Sequence, residues 1–428
     1  MTLPVEPEWR FIVTDLDGET ITLLDRLASE RIITPKLDEP LEITCSMPSD
    51  NPQVNIMHTD GFPFVAEGVR QLYCLRLEDV SVPFYTCRAA GLIMQVGDAA
   101  RSNDARTRIT AWDPWQYMFS RPVLQSVLSG GQAGLLIDSD GIVYPEGVGA
   151  HDIVFDILNT SWSFALLNAV DAPDASKPMF LDIDQTNFEE CSDFVGGYKI
   201  QQATTVGQAL QDLCATGYLD IVIWPIYDPV ARPGILGEIF VYSQSVVGTL
   251  SSGLGAGSFL YDQIFSWDMP GKSAVMMDDM FDGVARANIL QFYNGQGGPP
   301  VTPQVDVASV AAYGPYWDQH FFPAQTEVAA VEAMAAEQLF LRSRYKQTLT
   351  VNPASGRAPQ PFNDYYLGDR VPVYASDRLR QPLPTSELQV GSLTPAVTWQ
   401  RIYGIPVEID DNGVETVREL LVGPVGAP

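Results

Sequence analysis

Short apolar runs, each cut by glycine, proline or an Asp-Gly or Asn-Gly pair, recur from end to end of this chain. Runs this short and this punctuated build strands joined by turns rather than long helices. Glycine and proline together make about 15% of the 428 residues, modestly above the roughly 12% of ordinary usage. Residues 8–14 and 20–24 flank Asp17-Gly18, a hairpin signal. Runs at 41–47, 70–77, 83–96 and 107–112 continue the pattern, so the first 110 or so residues read as a β-barrel or sandwich module. Asp113-Pro114 ends it, and 115–128 starts as a helix that Pro122 interrupts.

Three later segments carry helical periodicity. In 151–168, Ile153, Ile157, Leu158, Trp162, Ala165 and Leu166 share one face. In 205–215, Thr205 caps, Val206, Ala209, Leu210 and Leu213 form the stripe, and Gly217 stops the helix. In 326–346, Thr326 caps and Glu327 sits in the first turn, with Val328, Val331, Met334, Ala335 and Leu339 as the stripe. Arg342, Arg344 and Lys346 fall at its end, where cations suit the helix dipole. Strand-like runs lie at 220–226, 237–242, 261–266 and 287–293, and 294–303 reads as a linker. Past residue 347 the chain is β again, at 347–351, 369–374, 401–409 and 415–422, the last two joined by an expected type I′ turn at Asn412-Gly413. The fold class is therefore α+β, β-dominated and multidomain, with barrel or tube-like modules and inserted α/β segments. The expected divisions are 1–125, 126–300, 301–346 as linker plus long helix, and 347–428.

Charge narrows the function. With 25 basic against 53 acidic residues the net charge is −28, which suits neither duplex DNA nor an anionic membrane surface. No apolar run approaches the roughly 18 residues of a membrane-spanning helix, and residues 1–9 do not read as a signal peptide. Five cysteines (Cys45, Cys74, Cys87, Cys191, Cys214) without a Cys-x-x-Cys pair make zinc ligation and a disulfide framework poor expectations, and point to assembly in a reducing cytoplasm.

Catalytic constellations are weak. Phe11-Ile12-Val13-Thr14-Asp15-Leu16-Asp17-Gly18-Glu19 resembles the first motif of haloacid-dehalogenase-type phosphatases, in which the first Asp attacks phosphorus and the second protonates the leaving group. The likeness covers under ten residues. Glu19 adds negative charge beside the attacked phosphate, and strands follow instead of a βαβ core, so a hairpin turn is the favoured reading. Asp278-Asp279 lacks context as a metal-binding pair. Asp182-Ile183-Asp184 and Asp410-Asp411-Asn412-Gly413 begin like calcium loops but lack the closing glutamate. His58, His151 and His320 are far apart, and no glycine-rich segment carries a phosphate-loop lysine. Aromatic groups, Trp112 with Trp115 and Tyr313, Tyr316, Trp317, Phe321 and Phe322, suit a sugar platform, a protein interface or plain core.

The order of modules is more telling than any site. The opening Trp9–Glu19 with the 41–47 run resembles the start of minor tail proteins of long-tailed bacteriophages, and Ile109-Thr110-Ala111-Trp112-Asp113-Pro114-Trp115-Gln116-Tyr117-Met118 resembles their next portion. The ending is similar to the C-terminal part of the tail-tip, or baseplate, hub family common in phages of actinobacteria. It comprises Arg342-Ser343-Arg344-Tyr345, then Tyr365-Tyr366-Leu367-Gly368-Asp369-Arg370-Val371, then Arg401-Ile402-Tyr403-Gly404-Ile405 and the Asn412-Gly413 hairpin. The resemblance implies a homotrimeric ring in the virion tail tip, assembled in the host cytoplasm. Its implied partners are the distal tail or tail-tube protein, the tape measure protein and a central fibre or spike, with DNA passing through unbound. It implies no catalytic, cofactor-binding or metal-binding residue. A carbohydrate- or receptor-binding β-protein is the alternative, and a phosphatase using Asp15 and Asp17 stands third.

Overall fold

The computed structural model describes residues 9–15, 18–24, 29–49, 70–79, 84–101, 104–125, 134–135, 141–162, 180–194, 197–201, 203–243, 265–266, 274–278, 287–294, 302–322, 328–343, 347–351, 361–362, 365–374, 397–411 and 413–423. Taken together, the described residues hold more strand than helix, as the α+β, β-dominated reading requires.

Seven N-terminal strands open the largest sheet: β1 (Trp9–Thr14), β2 (Thr20–Leu23), β3 (Ser29–Thr34), β4 (Glu42–Pro48), β5 (Arg70–Asp79), β6 (Phe84–Arg101) and β7 (Asp104–Trp112). Their order is β2-β1-β5-β6-β7-β4-β3. Strand β3 then pairs with Val407–Ile409, which leads through Glu415–Gly423 and Val397–Gly404 to Arg370–Tyr374 and Phe265–Ser266. Gln347–Val351 and Ala274–Asp278 join from the side, making fourteen strands. The two ends of the chain thus share one sheet through the β3 register Ile33↔Val407, Ile32↔Glu408 and Arg31↔Ile409. The expected barrel modules are absent among the described strands, which close no barrel and run as an open path.

Strand β1 is buried on both faces, which explains its continuous apolar run. One face (Trp9, Phe11, Val13) enters a core that also holds Leu72, Cys74, Tyr365, Leu367, Ile402 and Leu420. The other (Ile12, with Tyr73, Leu75 and Leu92) packs against Leu236 and Tyr227.

The middle of the chain has its own core. Helix α1 (Pro114–Met118), capped by Asp113, ends before Pro122, so the expected 115–128 helix is a single short turn. Helix α2 (Ala150–Ile157) passes into a wider π-turn over Leu158–Trp162, and the rest of the expected 151–168 helix lies outside the described residues. Helix α3 (Val206–Cys214) begins at Thr205, whose hydroxyl accepts from Gln208 N, and is followed by Gly217 at φ 75°. These helices bury Ile153, Leu158, Leu210 and Leu213 against Ile221, Ile239 and Val241 of the Leu219–Pro225/Gly237–Ser243 hairpin.

A third unit is a small sheet ordered Gln304–Val305, Ile289–Asn294, Trp317–Phe322. It carries α4 (Val307–Tyr313) and packs Leu290 and Phe292 against Val331, Met334 and Leu339 of α5 (Val328–Ser343). The expected α5 stripe is buried except at Val328, which is exposed; Thr326 lies outside the described residues.

Candidate functional site

The phosphatase-like motif is a hairpin loop. Asp15 N donates to Glu19 O (3.0 Å), Gly18 N to Asp15 O (3.3 Å), and the Asp15 carboxylate accepts from Glu19 N (2.8 Å). Gly18 stands at φ 81°, where a side chain would be strained. The carboxylate expected to attack phosphorus therefore ties its own turn; Asp17 lies outside the described residues. The calcium-like Asp410 segment has the same construction, with Asp410 N to Val414 O (3.0 Å), Gly413 N to Asp410 O (3.0 Å) and Val414 N to the Asp410 carboxylate (2.8 Å). Gly413 is at φ 83°. In both, an Asp faces the residue that follows a left-handed glycine; Asn412, and with it the expected type I′ turn at Asn412-Gly413, lies outside the described residues.

The other acidic candidates are equally occupied. Asp182 pairs with Arg232 (3.0 Å), and Asp184 caps the short helix Gln185–Asn187 by accepting from Thr186 N (2.9 Å). Among the described residues no group of three or more His, Cys, Asp and Glu is placed to hold a metal ion. No helix among them is long and apolar enough to cross a membrane. His58, Asp279 and Lys272 lie outside the described residues.

Folding brings one Cys–His–Asp grouping together that sequence spacing concealed. His151 Nδ1 accepts from Cys191 N (3.0 Å), and its Nε2 lies 3.5 Å from Asp152 Oδ1. Burial and the nearby Glu189 push the Cys191 thiol up to about 12, so it stays protonated and is a poor nucleophile. The Cys45 thiol is likewise pushed up to about 12 by burial, and Cys74 and Cys214 are fully inside. All five cysteines are free.

Charged groups instead converge where the units meet. Arg401 of the C-terminal strand pairs with Asp220 of the middle hairpin, both buried, and its Nε donates to Gly368 O (3.3 Å). Gly368 stands at φ 81° in the Leu367-Gly368-Asp369 turn that the sequence singled out. Beside this pair, Asp38 of the N-terminal unit accepts from Ile221 N (2.9 Å). Burial raises the Asp38 carboxyl to about 6 against the opposing pull of the Ile221 amide and Arg401. A second ionic seam joins Arg76 to Glu415 and to Glu78 (3.2 Å), and Arg88 to Glu78, while Arg88 donates to Phe362 O (2.7 Å). Both seams hold separate parts of the chain together. Partners 181 residues apart, such as Arg401 and Asp220, leave no local signal in a sequence.

The aromatic candidates separate. Trp115 is buried in the middle core and Trp112 is half-buried, which removes the first pair as a sugar platform. Tyr316 and Trp317 are exposed.

No protein-family model matches the sequence, and no curated protein matches it. Among solved structures the fold is similar to the tail protein from Neisseria meningitidis MC58, with TM-score 0.51 and 11% identity over 97% of this chain and 96% of that one. It is equally similar to the 43 kDa tail protein of prophage MuSo2 from Shewanella oneidensis, with TM-score 0.51 and 10% identity over 96% of this chain and 98% of that one. At such identity the likeness is one of fold alone, and the alignment covers nearly the whole of each chain.

Proposed function

We propose that this chain is a structural, non-enzymatic component of a phage tail tip, built into the virion as a homotrimeric hub ring. The ring joins the tail tube to a central fibre or spike and forms the conduit through which DNA leaves. The observation that carries this reading is the end-to-end likeness to two tail proteins, with both chains covered at 96% or more. The single sheet uniting residues 9–112 with 397–423 supports it, because an open sheet repeated around an axis can supply a continuous wall. Its terminal strands, Thr20–Leu23 and Phe265–Ser266, have one sheet partner each among the described residues, and a ring would cover such edges.

The charge fits as well. A lumen with carboxylates repels phosphates, so −28 per chain lets DNA slide without sticking. In this reading the large sheet forms the wall, the middle core and the small sheet with α5 stand on it, and no side chain performs chemistry. The tail-tube protein, the tape measure protein and the fibre or spike are the neighbours it would meet.

Negative-stain electron microscopy with mass photometry on the concentrated protein tests the ring. Threefold particles with a central hole are expected. A stable monomer or dimer at every concentration, with measurable glycan binding, would instead favour a receptor-binding protein.

A further inference from the structure

The small sheet of the third unit gathers exposed apolar surface. Of twelve large apolar side chains left exposed among the described residues, four fall between 305 and 317: Val305, Val307, Tyr316 and Trp317. Trp317 keeps 64% of its surface in water and Val307 73%. The register sets Val305 and Trp317 on either side of Ile289, so the three form a row across one face. The opposite face, with Leu290 and Phe292, is the one packed on α5. Trp317–Phe322 is also an edge strand, paired among the described residues only with Ile289–Asn294. An apolar-rimmed edge is a template for one more strand.

This surface is held in one pose by a buried asparagine. Asn288 Nδ2 donates to Gly314 O (2.8 Å) and Ser309 Oγ (3.3 Å), and its Oδ1 accepts from Tyr316 N (2.7 Å). The backbone amides of Asn288 and Ile289 both donate to Tyr316 O (3.0 Å each). Trp317 therefore needs little ordering on binding. The electrostatics select the occupant. Residues 287–343 contain a single Lys or Arg, Arg342 near the far end of α5, against five carboxylates, Asp306, Asp318, Glu327, Glu332 and Glu337. A second copy of a −28 chain brings like charge to this field, whereas a basic segment brings complementary charge.

We propose that the Trp317–Phe322 edge docks an extended basic segment of a partner protein, which adds as a strand and seats an apolar side chain on Trp317. The inference stands on this sheet alone and not on the ring.

Fluorescence anisotropy of the full chain with a labelled alternating Lys-Val peptide, against a Glu-Val peptide of equal length, tests it. The Lys-Val peptide is expected to bind, and Trp317→Ala to weaken it at least about tenfold, the effect of losing a central aromatic anchor. Asp318→Lys should weaken it as well. The exposure of Trp317 leaves the fold of its variant intact, which near-ultraviolet circular dichroism checks. Binding that ignores Trp317 would be general attraction to an acidic chain and would overturn the proposal, as would equal binding of the two peptides or no binding. Trp317-dependent self-association in sedimentation would assign the edge to a second copy and overturn it too.

Discussion

Two junctions tie the middle hairpin to the large sheet, and they are built from opposite materials. At one, Arg401 and Asp220 face each other in the interior with Asp38 alongside. At the other, the groups are neutral: Gln71 Nε2 donates to Gly234 O (2.8 Å), Tyr73 OH donates to Gln71 Oε1 (2.9 Å) and Ile235 O (3.2 Å), and Thr14 Oγ1 donates to Gln71 Oε1 (3.3 Å). Tyr227 meets the Tyr73 ring edge-on at 4.9 Å. A buried ion pair carries a large desolvation cost, so it stabilises little as a whole but is costly to break in half. A neutral network has less to lose per group. The first junction should therefore respond to mutation and pH, and the second to mutation alone.

Arg401→Met should have the largest effect, about 3–5 kcal/mol, because it leaves Asp220 buried without its cation. The double variant with Asp220→Leu should recover most of that loss, and urea unfolding of the three proteins checks both. Gly368→Val should cost about 1–3 kcal/mol through strain at its positive φ, in the turn whose carbonyl receives Arg401. Unchanged thermal stability would contradict that geometry. Gln71→Leu should cost about 1–3 kcal/mol by stripping the Gly234 carbonyl of a buried partner, with no change in pH dependence.

The pH test separates the junctions. The Asp38 carboxyl is raised to about 6 in the fold, above its ordinary value, so the folded state holds a proton that the unfolded chain has released. Its contribution is present below pH 4 and is lost as pH climbs to about 6, at no more than about 1.4 kcal/mol per pH unit. Asp38→Asn, which suits the left-handed backbone there (φ 57°), should remove that slope from the stability profile. An unaltered profile would show that the charged junction does not titrate. The smallest effect belongs to Asp15→Ala, under about 1 kcal/mol, the loss of one exposed turn hydrogen bond.

Much of this was legible in the chain. The apolar run of β1, the Thr205 cap with its Gly217 stop and the two Asp-led hairpins all rest on neighbours within a few residues. What stayed hidden depends on distant partners. Residues 29–34 carry Glu30, Arg31 and Ile32 in mixed order, and pairing with β4 on one side and Val407–Ile409 on the other makes them a strand that joins the chain ends. That β3 pairing replaced the expected separate barrels with an open sheet. The aromatic groups failed as signals for a related reason: Trp115 and Trp317 look alike in sequence, and only packing against α3 or its absence separates core from surface. The candidate sites failed differently, because a carboxylate that closes a turn and one that attacks phosphorus can share a local sequence.

The central claim is a place at the tip of the tail, and immunogold electron microscopy of purified virions with antibody to this chain tests it most directly. Gold confined to the distal end of the tail, with about three copies per particle by quantitative mass spectrometry as trimeric closure requires, is the expected result. Virions that lack the chain, or that carry gold on the head or along the tail, would contradict it.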